Sequence, residues 1–216
     1  MNKLIHASLV LTLTLTAARA ADTVPLKTEL PKPVLVGTPV PLPAAVQKNL
    51  EPARKGERPP FMLPSGATNL ALGKAVTSSD SEPLLGELVM ITDGVKDGDE
   101  GSFVELGGGK QWVQLDLGES ASISAVLVWH FHSQARVYYD VTVQVSDDQD
   151  FIKGVTTVFD NTRGKGADKF YVENYEGKLV DAKGARGRYV RLSSKGSTTN
   201  DANHYIEVEV WGVAAK

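Results

Sequence analysis

The sequence contains no cysteine among its 216 residues. This absence excludes disulfide scaffolds, thiolate zinc sites, iron–sulfur clusters and thiol nucleophiles, so any chemistry must come from oxygen and nitrogen groups. Catalytic signatures are also missing, since there is no Gly-x-Ser-x-Gly elbow, no His-Glu-x-x-His helix and no phosphate loop. The carboxylates of Asp147, Asp148 and Asp150 follow a predicted strand in a turn, where we expect them to be solvated. The sequence therefore predicts a protein that is not an enzyme.

A long apolar run occurs only at the N-terminus. Lys3 precedes a mostly apolar stretch that ends in the small-x-small sequence Ala18-Arg19-Ala20. The stretch has about 15 residues, fewer than the roughly 20 needed to span a bilayer. Residues 1–20 are therefore predicted to be a cleaved signal peptide, which places the mature protein in the secreted or periplasmic space.

Proline is scarce outside one segment, because ten of the eleven prolines fall between Pro25 and Pro64. Each proline removes a backbone donor and fixes φ, so the segment cannot form a regular helix or a central strand. Residues 21–65 are predicted to be a Pro-rich linker that is largely disordered. Two alternatives remain open: a docking motif, or an arm that packs on its own domain through Phe61, Met62 and Leu63.

Positive charge is also scarce in the rest of the chain. Residues 66–216 hold 15 Lys and Arg against 22 Asp and Glu, a formal charge of −7. A domain of this charge has no electrostatic attraction to phosphate backbones or anionic lipids. We therefore expect neither nucleic-acid binding nor binding to anionic membranes.

Strand periodicity dominates residues 66–216, and no window shows a sustained helical stripe. The clearest alternation covers residues 137–146, where every second side chain from Val137 to Val145 is apolar or aromatic. Residues 112–117 and 205–211 alternate too, and the latter pattern predicts that Ile206, Val208 and Val210 point inward. Further strands are predicted at residues 124–131, 155–159 and 188–193. Many short strands with Gly and Asp turns between them predict an all-β antiparallel sandwich or jelly roll.

Four sequence stretches are more specific than this pattern. They are NLALGKAVTSS at residues 69–79, ITDG at 91–94, WVQLDLG at 112–118, and RYVRL at 188–192 followed by IEVEVWG at 206–212. In this order they resemble the discoidin domain, also called the coagulation factor V/VIII type C domain, of the galactose-binding-like superfamily. The resemblance implies an eight-stranded antiparallel jelly roll over residues 66–216, with ligand-binding loops at one end.

The same resemblance implies a structural calcium ion near an acidic, glycine-rich loop. Five carboxylates lie between Asp93 and Glu105, where a hard cation with oxygen ligands could neutralise their repulsion. The chain departs from the family's usual loop at Val95 and Lys96. A solvated acidic turn without metal is the alternative. The ligand set implied by the family comprises side-chain or carbonyl oxygens of Ile91, Asp93, Asp97, Asp99, Ser102, Ile206 and Glu207.

A second implied site is a carbohydrate site in the loops that follow residues 124–131. Aromatic rings pack on the C–H faces of sugars, and Arg, Asn and His exchange hydrogen bonds with hydroxyl groups. In the alternative interpretation these side chains are core residues and satisfied polar groups. A third interpretation has the three histidines of the set binding zinc or copper. The candidate ligand-binding residues are His130, His132, Arg136, Asn203 and His204.

These observations predict a secreted, non-catalytic binding module that is a monomer. The expected ligand is a carbohydrate or another cell-surface polymer. An adhesion or structural domain that binds a protein partner is the alternative.

Overall fold

The chain folds almost entirely into antiparallel β-structure. The computed structural model describes residues 22–35, 41–163 and 165–215, so the predicted signal peptide lies outside the described residues. Within these ranges no helix is long and apolar enough to cross a bilayer. The elements in chain order are β1 (Thr23–Pro25), α1 (Ala44–Gln47), β2 (Met62–Pro64), β3 (Thr68–Asn69), β4 (Ala75–Ser78), a 3-10 helix (Leu88–Thr92), β5 (Val104–Leu106), β6 (Gln111–Trp129), β7 (Thr142–Ser146), β8 (Thr156–Asp160), β9 (Lys178–Ser194), β10 (Asn203–Tyr205) and β11 (Glu207–Ala214).

Two long strands, β6 and β9, organise the sandwich. They pair with each other along nearly their whole length, and the register shifts between Asp116 and Ala121. The first half of β6 also pairs with β4, whereas its second half pairs with β11. The full order of the main sheet is β3-β11-β6-β9-β7-β8, with β4 beside β6. Each long strand therefore contributes to both layers of the predicted jelly-roll sandwich.

The alternation predicted for residues 112–117 is confirmed in the first half of β6. Val113, Leu115 and Leu117 are buried in the main core, and Trp112 and Asp116 on the opposite face are half-buried. Predicted strands 112–117 and 124–131 are parts of this one bent strand, since β6 runs from Gln111 to Trp129. Sequence periodicity marks the two halves but not the bend between them.

The strand predicted at residues 137–146 is shorter in the structure, because β7 begins only at Thr142. Asp140 has a φ of 50°, a left-handed conformation that interrupts an extended strand. As a result Val137 packs in a separate apolar cluster, while Tyr138 rather than Tyr139 joins the main core. The predicted alternation is wrong before this break and correct after it, where Val143 and Val145 are in the main core.

The strand predicted at residues 205–211 is divided between β10 and β11. Val208 and Val210 lie in the main core as predicted, but Ile206 packs on the other side with Leu127 and Trp129. The amide of Ile206 donates a hydrogen bond to the Trp129 carbonyl at 2.8 Å. The side of Ile206 was therefore predicted wrongly, since the chain changes face between the two strands.

The Pro-rich segment packs on the sandwich in its described parts, contrary to the disorder predicted for residues 21–65. β1 and β2 form a two-stranded ribbon that brings Leu63 to 1% exposure, whereas the neighbouring Met62 is 49% exposed. Leu26 packs against the apolar cluster that contains Trp129. Proline prevents this segment from entering a central sheet, but it does not prevent its scattered apolar residues from covering one.

Contacts further along the same segment fix it to the loop that precedes β9. Val46 of α1 is 3% exposed and packs with Val137 and Phe170. The guanidinium of Arg54 pairs with Glu176, and that of Arg58 donates to the Glu176 carbonyl at 2.8 Å. We call residues 22–35 and 41–64 the arm. Of the three residues in the packed-arm alternative, Leu63 is buried, Phe61 is half-buried and Met62 is exposed.

Candidate functional site

The five candidate ligand-binding residues converge at one end of the sandwich. His130 follows β6 directly, and Asn203 and His204 lie on β10, which pairs with β5. The His130 ring stacks on Tyr138 with centroids 4.5 Å apart, and the Tyr138 hydroxyl lies 2.9 Å from Nδ1 of His204. The side chains of His130, Arg136 and His204 lie close together around Tyr138, whereas those of His132 and Asn203 bond to neighbouring loops.

Each of the five side chains is nevertheless buried. Their exposures lie between 0% and 4%. Side chains in this state hold the loops in place and do not by themselves present a surface to a glycan. The values are 0% for His130, 1% for His132, 3% for Arg136, 0% for Asn203 and 4% for His204.

His130 is paired with a residue that the sequence analysis did not select. Its Nδ1 lies 2.9 Å from Oε1 of Glu173, and the amide of Glu173 donates to the carbonyl of Arg136. Nε2 of His130 and Oε2 of Glu173 are buried without a hydrogen-bond partner. Glu173 lies 43 residues from His130 along the chain, so only folding reveals the pair. We refer to His130, Arg136, Tyr138, Glu173 and His204 as the polar cluster.

His204 connects this cluster to the surface. Its Nδ1 meets the Tyr138 hydroxyl, and its Nε2 lies 3.3 Å from Oε2 of Glu105. Burial, together with the positive charge of Arg136, lowers the pKa of His204 to about 4. The ring is therefore neutral at physiological pH. Glu105, by contrast, keeps 30% of its side chain exposed.

Arg136 lies against the ring of Phe131, with its guanidinium carbon 4.7 Å from the ring centroid. Nη2 donates to Oε1 of Gln134 at 2.6 Å, while Nε and Nη1 are buried without a partner. Phe131 and Gln134 are both half-buried. The guanidinium is thus beneath side chains that reach the solvent.

Asn203 joins the loop after β5 to the loop after β9. Its Oδ1 accepts from the hydroxyl of Ser194 and from the amide of Gly196, each at 2.8 Å. Its amide nitrogen donates to the carbonyls of Gly107 and Gly109. All of these bonds are internal, so Asn203 shapes the end of the sandwich.

The histidines are not arranged as a transition-metal site. Nε2 of His132 lies 2.9 Å from the carbonyl of Lys96, while His130 and His204 bond to Glu173 and Tyr138. In the part of the chain that the structure describes, no three His, Asp or Glu side chains are grouped to hold a metal ion. The zinc or copper interpretation has no geometric support.

The calcium ligands implied by the family are brought together only in part. Gly94, next to Asp93, donates its amide to Oε2 of Glu207 at 3.1 Å, and Oε1 of Glu207 is buried without a partner. Burial raises the pKa of Glu207 to about 8, and the charge of Asp93 contributes in the same direction. An orphaned carboxylate oxygen beside a second carboxylate fits a bound cation.

The other calcium ligands implied by the family range from buried to exposed, and among the described residues they do not form a complete ligand set with Glu207. Ile91 is fully buried in the 3-10 helix, and Ile206 is buried beside Glu207. Asp97 and Asp99 are exposed, and the carbonyl of Asp99 accepts the amide of Ser102.

Lys96, where the chain departs from the family's usual loop, supplies a positive charge next to the same place. Its ammonium lies 2.9 Å from Oε1 of Glu209 and 3.3 Å from the carbonyl of Gly94. Trp129 lies beneath it, with the ring centroid 5.4 Å from Nζ. The lysine therefore neutralises Glu209, and Oε1 of Glu207 remains unpaired.

The acidic turn after β7 has a structural use. The carboxylate of Asp148 accepts hydrogen bonds from the amides of Asp150, Ile152 and Lys153 at 2.9–3.1 Å. These bonds lower the pKa of Asp148 and fasten the turn. The arrangement provides no acid and base in contrasting environments, which paired-carboxylate catalysis requires.

Comparison with known proteins found a family model that is similar to the central part of the chain. The family model for the NedA-like, galactose-binding domain, of the F5/F8 type C group, matches residues 94–192. A search of curated proteins found no match. The match covers His130, Arg136, Tyr138 and Glu173 of the polar cluster, whereas His204 lies beyond it.

Solved structures of related architecture include a family 89 glycoside hydrolase from Clostridium perfringens. It is 17% identical with a TM-score of 0.52, and the match covers 68% of this chain but only 15% of that enzyme. A fucose-binding module of Streptococcus pneumoniae is 19% identical over 66% of this chain and 96% of its own length, with a TM-score of 0.46. A chitosan-binding module from a Paenibacillus sp. chitosanase/glucanase is 26% identical over 67% and 99%, with a TM-score of 0.43. Residues 94–192, slightly less than half of the chain, are thus similar to the F5/F8 type C, galactose-binding-like family, and the glycoside hydrolase structure shares the fold.

Proposed function

We propose that this protein is a non-catalytic carbohydrate-binding module that acts outside the cytoplasm. Its binding surface is the end of the sandwich that holds the polar cluster. The observation that carries the proposal is the placement of the half-buried Phe131 ring directly over the buried guanidinium of Arg136. The family match and the predicted signal peptide support it independently.

The binding residues differ in role from those predicted on the sequence. The buried His130, His132 and Asn203 form a supporting layer, because their hydrogen bonds are made inside the protein. The glycan meets the partly exposed Phe131 and Gln134 that lie on this layer. Phe131 packs on the C–H face of a sugar ring, and the amide of Gln134 exchanges hydrogen bonds with hydroxyls.

A glycan array followed by calorimetric titration tests the proposal on the full mature chain. Phe131→Ala should weaken binding to any hit by roughly tenfold, because an aromatic contact contributes about 1–1.5 kcal/mol. Phe151→Ala is the matched control, since Phe151 is also half-buried but lies on the turn after β7 and stacks on Arg191. Its affinity should equal that of the wild type. An array and a soluble polysaccharide panel without any hit would refute the proposed function.

A structural calcium ion belongs to the same proposal. Glu207 and Asp93 would hold it with backbone oxygens of the adjoining loop, and the ion would neutralise the buried carboxylate of Glu207. Calcium at 100 times its dissociation constant should then stabilise the fold by about 2.7 kcal/mol relative to a chelator. The shift should vanish in Glu207→Gln and persist in Glu119→Gln, which changes an exposed residue. An equal melting temperature with calcium and with chelator in the wild type would exclude the ion.

A further inference from the structure

Glu105 occupies a supported position at the rim of the polar cluster. It lies on β5 directly opposite His204 on β10 in the antiparallel ladder. Its Oε2 is 3.3 Å from Nε2 of His204, and 30% of the side chain is exposed. Among the described residues, neither carboxylate oxygen accepts a hydrogen bond, so Oε2 is held by its contact with the His204 ring and Oε1 is available to a ligand.

The contacts of the His204 ring define how Glu105 is held. Nε2 faces Oε2 of Glu105 at 3.3 Å, and a carboxylate has no proton to donate, so we assign the ring proton to Nε2. Nδ1 is then an acceptor, and the Tyr138 hydroxyl donates to it at 2.9 Å. Tyr138 is 1% exposed and stacks on His130, which fixes its own position. The buried Tyr138 and His204 side chains therefore hold the partly exposed Glu105 carboxylate in one orientation.

The surroundings of this carboxylate are those of a sugar site. The His204 ring lies 6.0 Å from the half-buried Phe131 ring and 5.4 Å from Phe103. The exposed charges on the neighbouring loop, Asp97, Asp99 and Glu100, are all negative. The one cation of that loop, Lys96, is 9% exposed and paired with Glu209.

We infer that Glu105 is a specificity-determining residue of the proposed carbohydrate site. Its available oxygen accepts a hydroxyl or ammonium donor of the ligand, and its charge excludes acidic sugars. The ligand class is thus neutral or amino sugars, and uronic acids are rejected. This inference rests on the proposed function, and it assigns His204 and Tyr138 as positioning residues.

The test uses sugars that differ only in charge. The probes are galactose, galactosamine and galacturonic acid, and the corresponding gluco series, each as the monosaccharide and a short oligomer. In titrations of the full mature chain at low salt, uronic acids should bind about five- to tenfold more weakly than the neutral sugar. This factor corresponds to the repulsion between two like charges at close range in water. The difference should shrink at high salt.

The variant Glu105→Gln keeps the shape of the side chain and removes its charge. It should reduce the preference for neutral over acidic sugars to less than twofold. Glu100→Gln is the matched control, because it removes an exposed charge of the same loop, and it should keep the wild-type preference. Tyr138→Phe releases His204 and should also reduce the preference, whereas a purely structural role would weaken neutral and acidic sugars by the same factor.

The possible results separate this inference from the proposed function. A wild type that binds sugars with no dependence on their charge, or a Glu105→Gln variant with unchanged preference, would overturn the role of Glu105 and leave the carbohydrate-binding proposal intact. Absence of binding to every glycan would overturn both.

Discussion

The carboxylate of Glu173 lies 2.9 Å from Nδ1 of His130, and both side chains are essentially inaccessible to solvent, at 1% and 0% exposure. The two residues fix the loop after β6 against the segment before β9. Removing one partner leaves a polar group buried without compensation, which is among the more costly changes a protein can suffer.

Glu173→Ala should therefore destabilise the fold by about 3–5 kcal/mol in urea unfolding, because His130 loses its buried partner. Glu57→Ala, which removes an exposed glutamate from the arm, should change stability by less than about 0.5 kcal/mol. A double-mutant cycle with His130→Ala should give a coupling energy of about 0.5–3 kcal/mol. Strict additivity would show that the pair does not form.

The arm provides a second prediction, from two adjacent residues of opposite exposure. Leu63→Ala should cost about 2–5 kcal/mol, because Leu63 is 1% exposed. Met62→Ala should have a small effect, since Met62 is 49% exposed. Thermal and chemical unfolding of both variants would measure the difference. If both variants melt with the wild type, the arm is not docked in solution.

Glycine substitutions test the packing of Trp129. Gly177 has a φ of 66° and Gly73 a φ of 68°, so alanine is strained to a similar extent at both positions. A Cβ at Gly177 would lie 2.6 Å from the Trp129 ring, whereas at Gly73 nothing lies within 4 Å. Gly177→Ala should therefore destabilise by about 1–3 kcal/mol more than Gly73→Ala. Equal losses in calorimetry would mean that Trp129 is not packed on Gly177.

Alkaline pH should unfold the domain through its buried tyrosines. Burial raises the pKa of Tyr138 above 10.0, with the charge of Glu173 adding to the effect and Arg136 opposing it. Tyr171 is raised in the same way, by burial and then by Glu173, with a smaller contribution from Glu51. A raised pKa means that the folded state retains protons that the unfolded state loses. The stability is thus complete below about pH 10 and declines as the pH rises above it.

Absorbance at 295 nm, followed together with circular dichroism, measures this prediction. The ionisation of the buried Tyr138 and Tyr171 should coincide with the loss of structure. Tyr138→Phe should make the alkaline loss of stability less steep. Complete tyrosine ionisation in a folded protein would contradict the burial of these rings.

Much of the architecture could be predicted from local patterns. Val113, Leu115 and Leu117 alternate as a half-buried strand must, and the absence of helical stripes indicated the all-β class. The errors occurred where backbone geometry changes without a change in composition, at Asp140 with its positive φ and between Tyr205 and Glu207. The arm was predicted to be disordered because its proline content limits regular backbone hydrogen bonding. Proline content gives no information on whether the apolar side chains of the segment pack on the sandwich.

The candidate site also combines features that follow from the sequence with features that depend on folding. The sequence by itself determined the resemblance to the F5/F8 type C domain, the loops that carry His130 and His204, and the excess of negative charge, because these depend on residue identity and order. Only the tertiary structure decided that the predicted ligand residues are buried, that Glu173 is the partner of His130, and that Glu105 remains at the surface. Burial and pairing depend on residues far apart in the chain, such as Tyr138 and His204, which are 66 positions apart and become neighbours only when the two layers close.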